Sequence, residues 1–242
     1  MKICVAQTRP VKGDIQSNII NHKKLIDTAI VHETDLIVFP ELSITGYEPS
    51  LASELATDKD DNRFDVFQKI SNSKNIIIGV GMPIKTGSGV QIGMIIFQPG
   101  KAREVYAKQH LHSDELPYFV NGKEQFYLNN NSHKIALAIC YELSVTGHSA
   151  NAYNHSADVY LASVAKTAEG VGKAAKSLSD IAKKYSMTVL MSNCVGPCDN
   201  FQSAGKTAVW NKKGELVGQL NAESEGLLIF DSETFQLIEA RV

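Results

Sequence analysis

The chain has 242 residues, 43% of them hydrophobic, and a formal net charge of −2. That length suits one large domain, residues 1–242, with ample material for a buried core. Near-neutral charge gives no footprint for nucleic acid, and no apolar run reaches the roughly 18 residues of a membrane-spanning helix, so neither partner is expected. Four cysteines in so long a chain do not suggest a disulfide scaffold. The start Met1–Gln7 reads as a strand, not a secretory leader. A cytoplasmic protein with reduced thiols is the expectation.

Strands alternate with amphipathic helices. Residues 2–7 read as a strand, and from Ser17 to His32 apolar residues recur at helical spacing. A strand at 35–39 leads into a loop over 41–51 punctuated by Gly46 and Pro49. A helix over 63–72 precedes a strand from Asn75 to Val80. Val90–Phe97 and Arg103–Lys108 flank the turn Gln98-Pro99-Gly100-Lys101 as a hairpin. A long polar loop over 109–123 leads to a strand ending at Cys140, followed by a helix to about residue 154. Asp158–Ser163, a helix over 173–185 and Met187–Asn193 continue the alternation. Ala204–Trp210 and Glu215–Leu220 form a hairpin around Asn211-Lys212-Lys213-Gly214, and Gly226–Asp231 pairs with Thr234–Glu239. So many strands would strain one open sheet, so two packed sheets with helices outside are predicted.

Three reactive residues stand at strand ends: Glu41 after Leu36-Ile37-Val38-Phe39-Pro40, Lys108 after Val105-Tyr106-Ala107, and Cys140 after Ile135-Ala136-Leu137-Ala138-Ile139. In open α/β proteins chemistry collects there, because the sheet fixes the backbone while the side chains reach solvent. A carboxylate, a cation and a thiol converging suggest covalent catalysis by cysteine. A helix beginning near Glu142 would place Cys140 at a positive helix end and lower its pKa. Taken singly each residue has a bland role, since a free cysteine is more often core than nucleophile.

The segments around them resemble the signatures of the nitrilase superfamily of carbon–nitrogen hydrolases. Phe39-Pro40-Glu41-Leu42-Ser43-Ile44-Thr45-Gly46-Tyr47, Tyr106-Ala107-Lys108-Gln109-His110-Leu111 and Leu137-Ala138-Ile139-Cys140-Tyr141-Glu142 come in that family's order and at compatible spacing. Gln7, Gly13-Asp14 and Asn18 resemble its N-terminal pattern. Glu115, with Pro117-Tyr118-Phe119 and Gly122, resembles the segment carrying its second glutamate, and Met191-Ser192-Asn193 and Ser203-Ala204-Gly205 its later strands. Glu142 departs from the family's usual Asp, and Gln91-Ile92-Gly93 from its usual Asn.

The resemblance implies a four-layer αββα sandwich of two mixed sheets and an amidase-type hydrolase acting on a small linear amide or N-carbamoyl compound. Cys140 would attack the carbonyl and form a thioester. Glu41 would move the protons, and Lys108 with the Tyr141 backbone N–H would hold the oxyanion. Glu115 would orient Lys108, an acid crowded by another acid whose pKa rises. Tyr47, Tyr118, Tyr141, Lys166 and Asn193 are candidates for the substrate pocket. No cofactor or metal is required. The resemblance also implies a homodimer joined through helices, for which Ala150, Ala152, Ala174, Ala175 and Ala182 offer close approach.

Competing readings attach to other residues. His110-x-His112 could offer two imidazoles to zinc, and His110 could pair with Cys140 as in papain-like proteases, which leaves Glu41 and Lys108 unused. Cys194-x-x-x-Cys198 could be a redox pair, although its spacing misses Cys-x-x-Cys. Gly79-Val80-Gly81 and Gly170-x-Gly172 lack the full spacing of phosphate loops. A nitrilase, a thiol redox or metal protein, and an idle binding module are therefore the alternatives to the amidase.

Overall fold

In the computed structural model, which describes residues 1–130 and 133–241, two sheets pack face to face. The elements are β1 (Lys2–Gln7), α1 (Ile15–Val31), β2 (Leu36–Val38), the short α2 (Ala52–Leu55), α3 (Asp65–Lys74), β3 (Ile77–Thr86), β4 (Gly89–Phe97), β5 (Glu104–Ala107), β6 (Tyr127–Asn130), β7 (His133–Ile139), α4 (Thr146–Asn154), β8 (Val159–Val164), α5 (Ala168–Tyr185), β9 (Thr188–Asn193), β10 (Val195–Cys198), β11 (Phe201–Ala204), β12 (Ala208–Trp210), β13 (Leu216–Gln219), β14 (Gly226–Asp231) and β15 (Leu237–Ala240). One sheet has the order β15-β14-β1-β2-β3-β4-β5 and the other β13-β12-β9-β8-β7-β6, with β10 and β11 as a separate ribbon. β1, β2 and β3 run parallel, as do β7, β8 and β9, while the flanking strands are antiparallel.

The layers follow from the two-residue period of the strands. In β7, Ile135, Leu137 and Ile139 face the other sheet and share one core cluster with its Val5, Val38 and Met94 and with Leu161 of the adjacent β8. Ala136 and Ala138 face outward and leave room for Leu143, Val171, Ala174 and Leu178 beneath the helices. On the other sheet Ile37, Phe39, Ile78 and Val80 pack outward against Ile19, Ile26 and Phe67. Each of these fully buried aliphatic side chains contributes roughly 1.5–3 kcal/mol relative to exposure. The result is the predicted αββα sandwich.

Several boundaries move for local reasons. α1 begins at Ile15, earlier than predicted, because Asp14 caps it by accepting from the Ser17 N–H at 2.9 Å. α3 runs through Lys74 and ends on Asn75 in the left-handed conformation, so Asn75 closes a helix instead of opening a strand. β3 continues past Val80 to Thr86 with Pro83 inside it. β2 pairs only as far as Gly79, so Pro83 lies beyond β2 where its missing N–H removes no ladder bond. α5 starts at Ala168, capped by Thr167, despite Gly170 and Gly172 in its first turns. The predicted strand Ala204–Trp210 shrinks to β12, because Gly205 and Lys206 stand at positive φ and Ala204 belongs to β11, and β6, β10 and β11 were not predicted.

Candidate active site

Glu41 follows β2 on a tight loop that lies directly on β3. A side chain at Gly81 would meet the Leu42 nitrogen at 2.4 Å and the Pro40 oxygen at 2.5 Å, so only glycine lets that loop dock. α1 braces it from outside: the Asn18 amide donates to the Ile44 carbonyl (2.9 Å) and His22 Nε2 bonds Ser43 Oγ (2.9 Å). Burial pushes the His22 pKa down to about 4, consistent with a neutral structural ring. Lys108 follows β5, and a side chain at Gly122 would collide with the Ala107 carbonyl at 2.1 Å. The Gly122 N–H donates instead to the Lys108 carbonyl at 2.7 Å. Glu115 sits on the following turn, where Oε2 accepts from the His112 N–H at 2.7 Å.

These three side chains form one sealed cluster. Lys108 Nζ donates to Glu41 Oε1 at 2.8 Å and to Glu115 Oε1 at 2.6 Å, with side-chain exposures of 0%, 0% and 2% for Lys108, Glu41 and Glu115. Tyr47 Oη donates to the same Glu115 oxygen at 2.9 Å. Glu41 Oε2 is buried and makes no standard hydrogen bond, and the Cys140 thiol lies close enough to this carboxyl to act as a weak donor to it. Cys140 follows β7 at φ 46°, a left-handed backbone that a non-glycine residue adopts at a cost of order 1–3 kcal/mol. Its Sγ lies 3.9 Å from the Ala165 carbonyl.

Burial dominates the electrostatics. It pushes the Glu41 carboxyl up to about 7, against the pull of Lys108 and with a further push from Glu115. Burial disfavours charge on Lys108, but Glu41, Cys140 and Glu115 outweigh it and raise its pKa, so the amine is a fixed cation. Burial and Glu41 push the Cys140 thiol up to about 11, with Lys166 and Lys108 pulling the other way. This overturns the lowered pKa expected from a helix start. Residues Cys140–Ser144 form a 3-10 turn and α4 begins only at Thr146, so no long helix dipole points at the sulfur. The thiol rests protonated and needs a base beside it, and the crowding of acids expresses itself on Glu41.

A cavity of about 350 Å³ opens over Cys140 and is lined by Tyr47, Glu115, Tyr118, Tyr141 and Lys166, with Pro49, His112, Thr167, Gly170, Asp199 and Phe201 among the others. Four of the five predicted pocket residues are therefore at its wall. Asn193 is not: it is fully buried, its Oδ1 accepts from the Lys166 N–H at 3.0 Å and its amide donates to the Gly205 carbonyl at 2.7 Å. It positions the wall without reaching the cavity. Phe201 and Asp199, on the β10–β11 ribbon, were missed because that ribbon was not predicted. His110 and His112 separate, His112 pairing with Asp114 at 2.6 Å and His110 lying 6.2 Å from the His148 ring. Cys194 and Cys198 are buried with sulfurs 3.5 Å apart. Three of the five small residues named for helix pairing, Ala152, Ala174 and Ala182, are buried against the chain's own sheet.

Glu142 is the residue whose role the sequence hid. Its Oε2 accepts from the Ile139 N–H and from Tyr106 Oη, both at 2.6 Å, and its Oε1 accepts from the Gln109 N–H at 2.5 Å and the His110 N–H at 3.3 Å. One carboxylate thus ties the backbone just before Cys140 to the backbone just after Lys108. His148 on α4 completes the network, bonding Tyr106 Oη at 3.0 Å and Tyr160 Oη at 2.8 Å.

An acid, a lysine and a cysteine thus gather at the strand ends of a four-layer sandwich. Residues 2–240 match the family described as carbon-nitrogen hydrolase, and the chain belongs to that family. Among curated relatives, the glutamine-dependent NAD(+) synthetase of Acinetobacter baylyi is 26% identical over 233 residues, covering 93% of this chain and 43% of its own. The chain spans less than half the length of the synthetases it matches. The hydrolase in the agr operon of Staphylococcus aureus is 24% identical over 238 residues, covering 96% of this chain and 90% of that one. An amidase of the nitrilase superfamily from Nesterenkonia sp. AN1 shares the fold with a TM-score of 0.87 at 21% identity, covering 97% of this chain and 92% of that one. A CN-hydrolase superfamily protein from Xanthomonas campestris, with an arsenic adduct in its active site, does so at 0.87 and 19%, with coverage of 97% and 92%.

Proposed function

We propose that the chain is an amidase-type hydrolase that cleaves the C–N bond of a small linear amide through a thioester on Cys140. The observation that carries this reading is the sealed Glu41–Lys108–Glu115 cluster at a thiol on the floor of an open cavity. Ionised Glu41 takes the proton of the Cys140 thiol as the sulfur attacks the carbonyl carbon. The carbonyl electrons move to oxygen, and Lys108 Nζ with the Tyr141 N–H stabilises that oxyanion. Glu41 returns the proton to the leaving nitrogen, ammonia departs, and the thioester remains. Water then attacks, giving its proton to Glu41, and the C–S bond breaks to free the acid and the thiol. Glu115 keeps Lys108 in place, assisted by Tyr47. No step calls on a cofactor.

Ammonia release from a panel of short amides, N-carbamoyl compounds and nitriles, with intact-mass detection of an acyl adduct on Cys140, tests the reading. Turnover of amides with a Cys140 adduct is expected. Release of no ammonia from any amide, or turnover that survives Cys140→Ala, overturns it. We further propose a homodimer in reduced, cytoplasmic conditions, joined along α4 and α5, where Tyr153 and Tyr185 meet at 5.2 Å near the exposed surface. Light scattering should report about twice the 26.4 kDa chain mass, and a monomer at micromolar concentration refutes the pairing.

A further inference from the structure

A serine, a histidine and an aspartate meet at the end of the sandwich opposite Cys140. β7 begins there with His133, whereas Cys140 follows its far end. Ser232, in the turn after β14 of the other sheet, places its Oγ 2.8 Å from His133 Nε2. His133 Nδ1 in turn bonds Asp158 Oδ2, and the other oxygen of that carboxylate accepts from the Lys134 N–H at 2.8 Å. An ionised carboxylate only accepts, so it draws the proton of the neutral ring to Nδ1 and leaves Nε2 bare toward Ser232. The serine hydrogen has a second acceptor in the Met1 carbonyl at 3.0 Å, and Nε2 is the nearer of the two. Aspartate orienting histidine, and histidine facing a hydroxyl, is the set of roles that activates a serine, and it is defined by geometry and not by sequence order. All three residues are partly exposed.

The surroundings say what such a serine can take. The N–H groups beside it are already engaged: its own donates to the Met1 carbonyl at 2.9 Å and that of Glu233 to Asp231 Oδ1 at 2.9 Å. A missing oxyanion donor costs about 10²–10³ in rate, so the acyl donor must carry a good leaving group, and the plain serine ester that forms persists. Phe230 and Phe235, on either side of Ser232 in the chain, wall a cavity of about 530 Å³ with Val217. Thr188, on the same wall, donates its N–H to the Asp158 carbonyl at 3.0 Å.

We propose that Ser232 is an acylation site, activated by His133 and Asp158, that takes an apolar acyl group from a donor with a weakly basic leaving group. Ser232 Oγ attacks the acyl carbon as its proton passes to His133 Nε2. The bond from carbon to the leaving group breaks, the proton departs with that group, and an O-acyl serine remains. The cavity beside the turn receives the chain, which favours long acyl groups over short ones. The site is separate from the amide chemistry at Cys140 and stands without it.

The test applies p-nitrophenyl octanoate and p-nitrophenyl acetate to the full chain carrying Cys140→Ala, which removes the competing exposed thiol, and locates the acyl group by peptide mass mapping. Ser232 should be acylated first, and faster by octanoate than by acetate. Adding Ser232→Ala should leave only slow scatter over lysines and the N-terminus. Adding Asp158→Asn, which keeps the shape but releases the tautomer, should slow labelling of Ser232 by about 10²–10⁴, and His133→Gln should do the same. Unchanged unfolding midpoints in these two variants show that the loss is chemical. Acylation of lysines with Ser232 untouched overturns the proposal, as does a Ser232 rate that survives both Asp158→Asn and His133→Gln. Acetate reacting as fast as octanoate overturns the apolar acyl preference. Amide turnover is not read, so neither result depends on the role of Cys140.

Discussion

The pH dependence of turnover gives the sharpest test of the proton path. Glu41 must be ionised to accept the thiol proton, and burial places its pKa at about 7. The ionised fraction is then roughly one in a hundred at pH 5, half at pH 7 and nearly complete at pH 9. The Cys140 thiol keeps its proton up to about 11, so the proton to be moved is present throughout. The kcat/KM for a good amide should therefore climb about tenfold per pH unit below 7, bend near 7 and hold level to about pH 10. Stability runs the other way. The folded pKa of about 7 lies above the ordinary 4.5, so this group's contribution is complete below about pH 4.5 and is lost as pH rises through about 7. The gap corresponds to at most about 3 kcal/mol. Denaturant unfolding at pH 5 and pH 8 should show the wild type losing more stability between the two than Glu41→Gln does. A rate profile flat from pH 5 to 8, or rising only toward 11 with the thiol, would refute the assignment of Glu41 as the base.

Other substitutions separate the remaining roles. Cys140→Ser and Cys140→Ala should abolish turnover with the fold intact, and iodoacetamide mapping should find Cys140 alkylated first, because the other three cysteines are buried. Lys108→Ala should cost about 10²–10³ in rate, the loss expected for an oxyanion donor, and a milder loss would reassign the oxyanion site. Glu142→Ala strands several buried donors and should cost about 3–5 kcal/mol in denaturant unfolding. Glu142→Asp keeps the charge on a shorter arm and should retain much more of both stability and kcat, and equal losses in the two variants would deny the clamp.

The fold and the reactive set were legible because both rest on local patterns. The Ile/Leu–Ala alternation of 135–139 marks a strand with a thick face and a thin one, and β7 is that strand. Glu41, Lys108 and Cys140 were visible as polar residues ending apolar runs. What escaped depends on partners distant in sequence. Asn193 reads as a polar strand-end residue like Glu41, yet its amide is consumed by the Lys166 and Gly205 backbones. The ribbon carrying Asp199 and Phe201 has no sheet to join, and so little of the periodicity that announces strands. The thiol's pKa was misjudged because a strand end followed by a helical pattern does not reveal an intervening 3-10 turn, nor a carboxylate from another sheet.

The placement of these residues carries a physical consequence for how the site comes into being. Glu41 and Lys108 stand at the ends of β2 and β5 in one sheet, and Cys140 and Lys166 at the ends of β7 and β8 in the other. Neither sheet alone holds a base and a nucleophile. The two are pinned near the site by Ser163 Oγ donating to the Phe39 carbonyl at 2.8 Å and, further along, by Ser192 Oγ donating to the Ala6 carbonyl at 2.6 Å. Glu142 spans the same divide, joining the Lys108 strand to the Cys140 turn. The burial that raises Glu41 to a useful base exists only once the sandwich has closed. Damage to the inter-sheet contacts should thus remove catalysis before it removes secondary structure, because Glu41 would return toward an ordinary carboxylate, too weak a base for a thiol that no longer faces it.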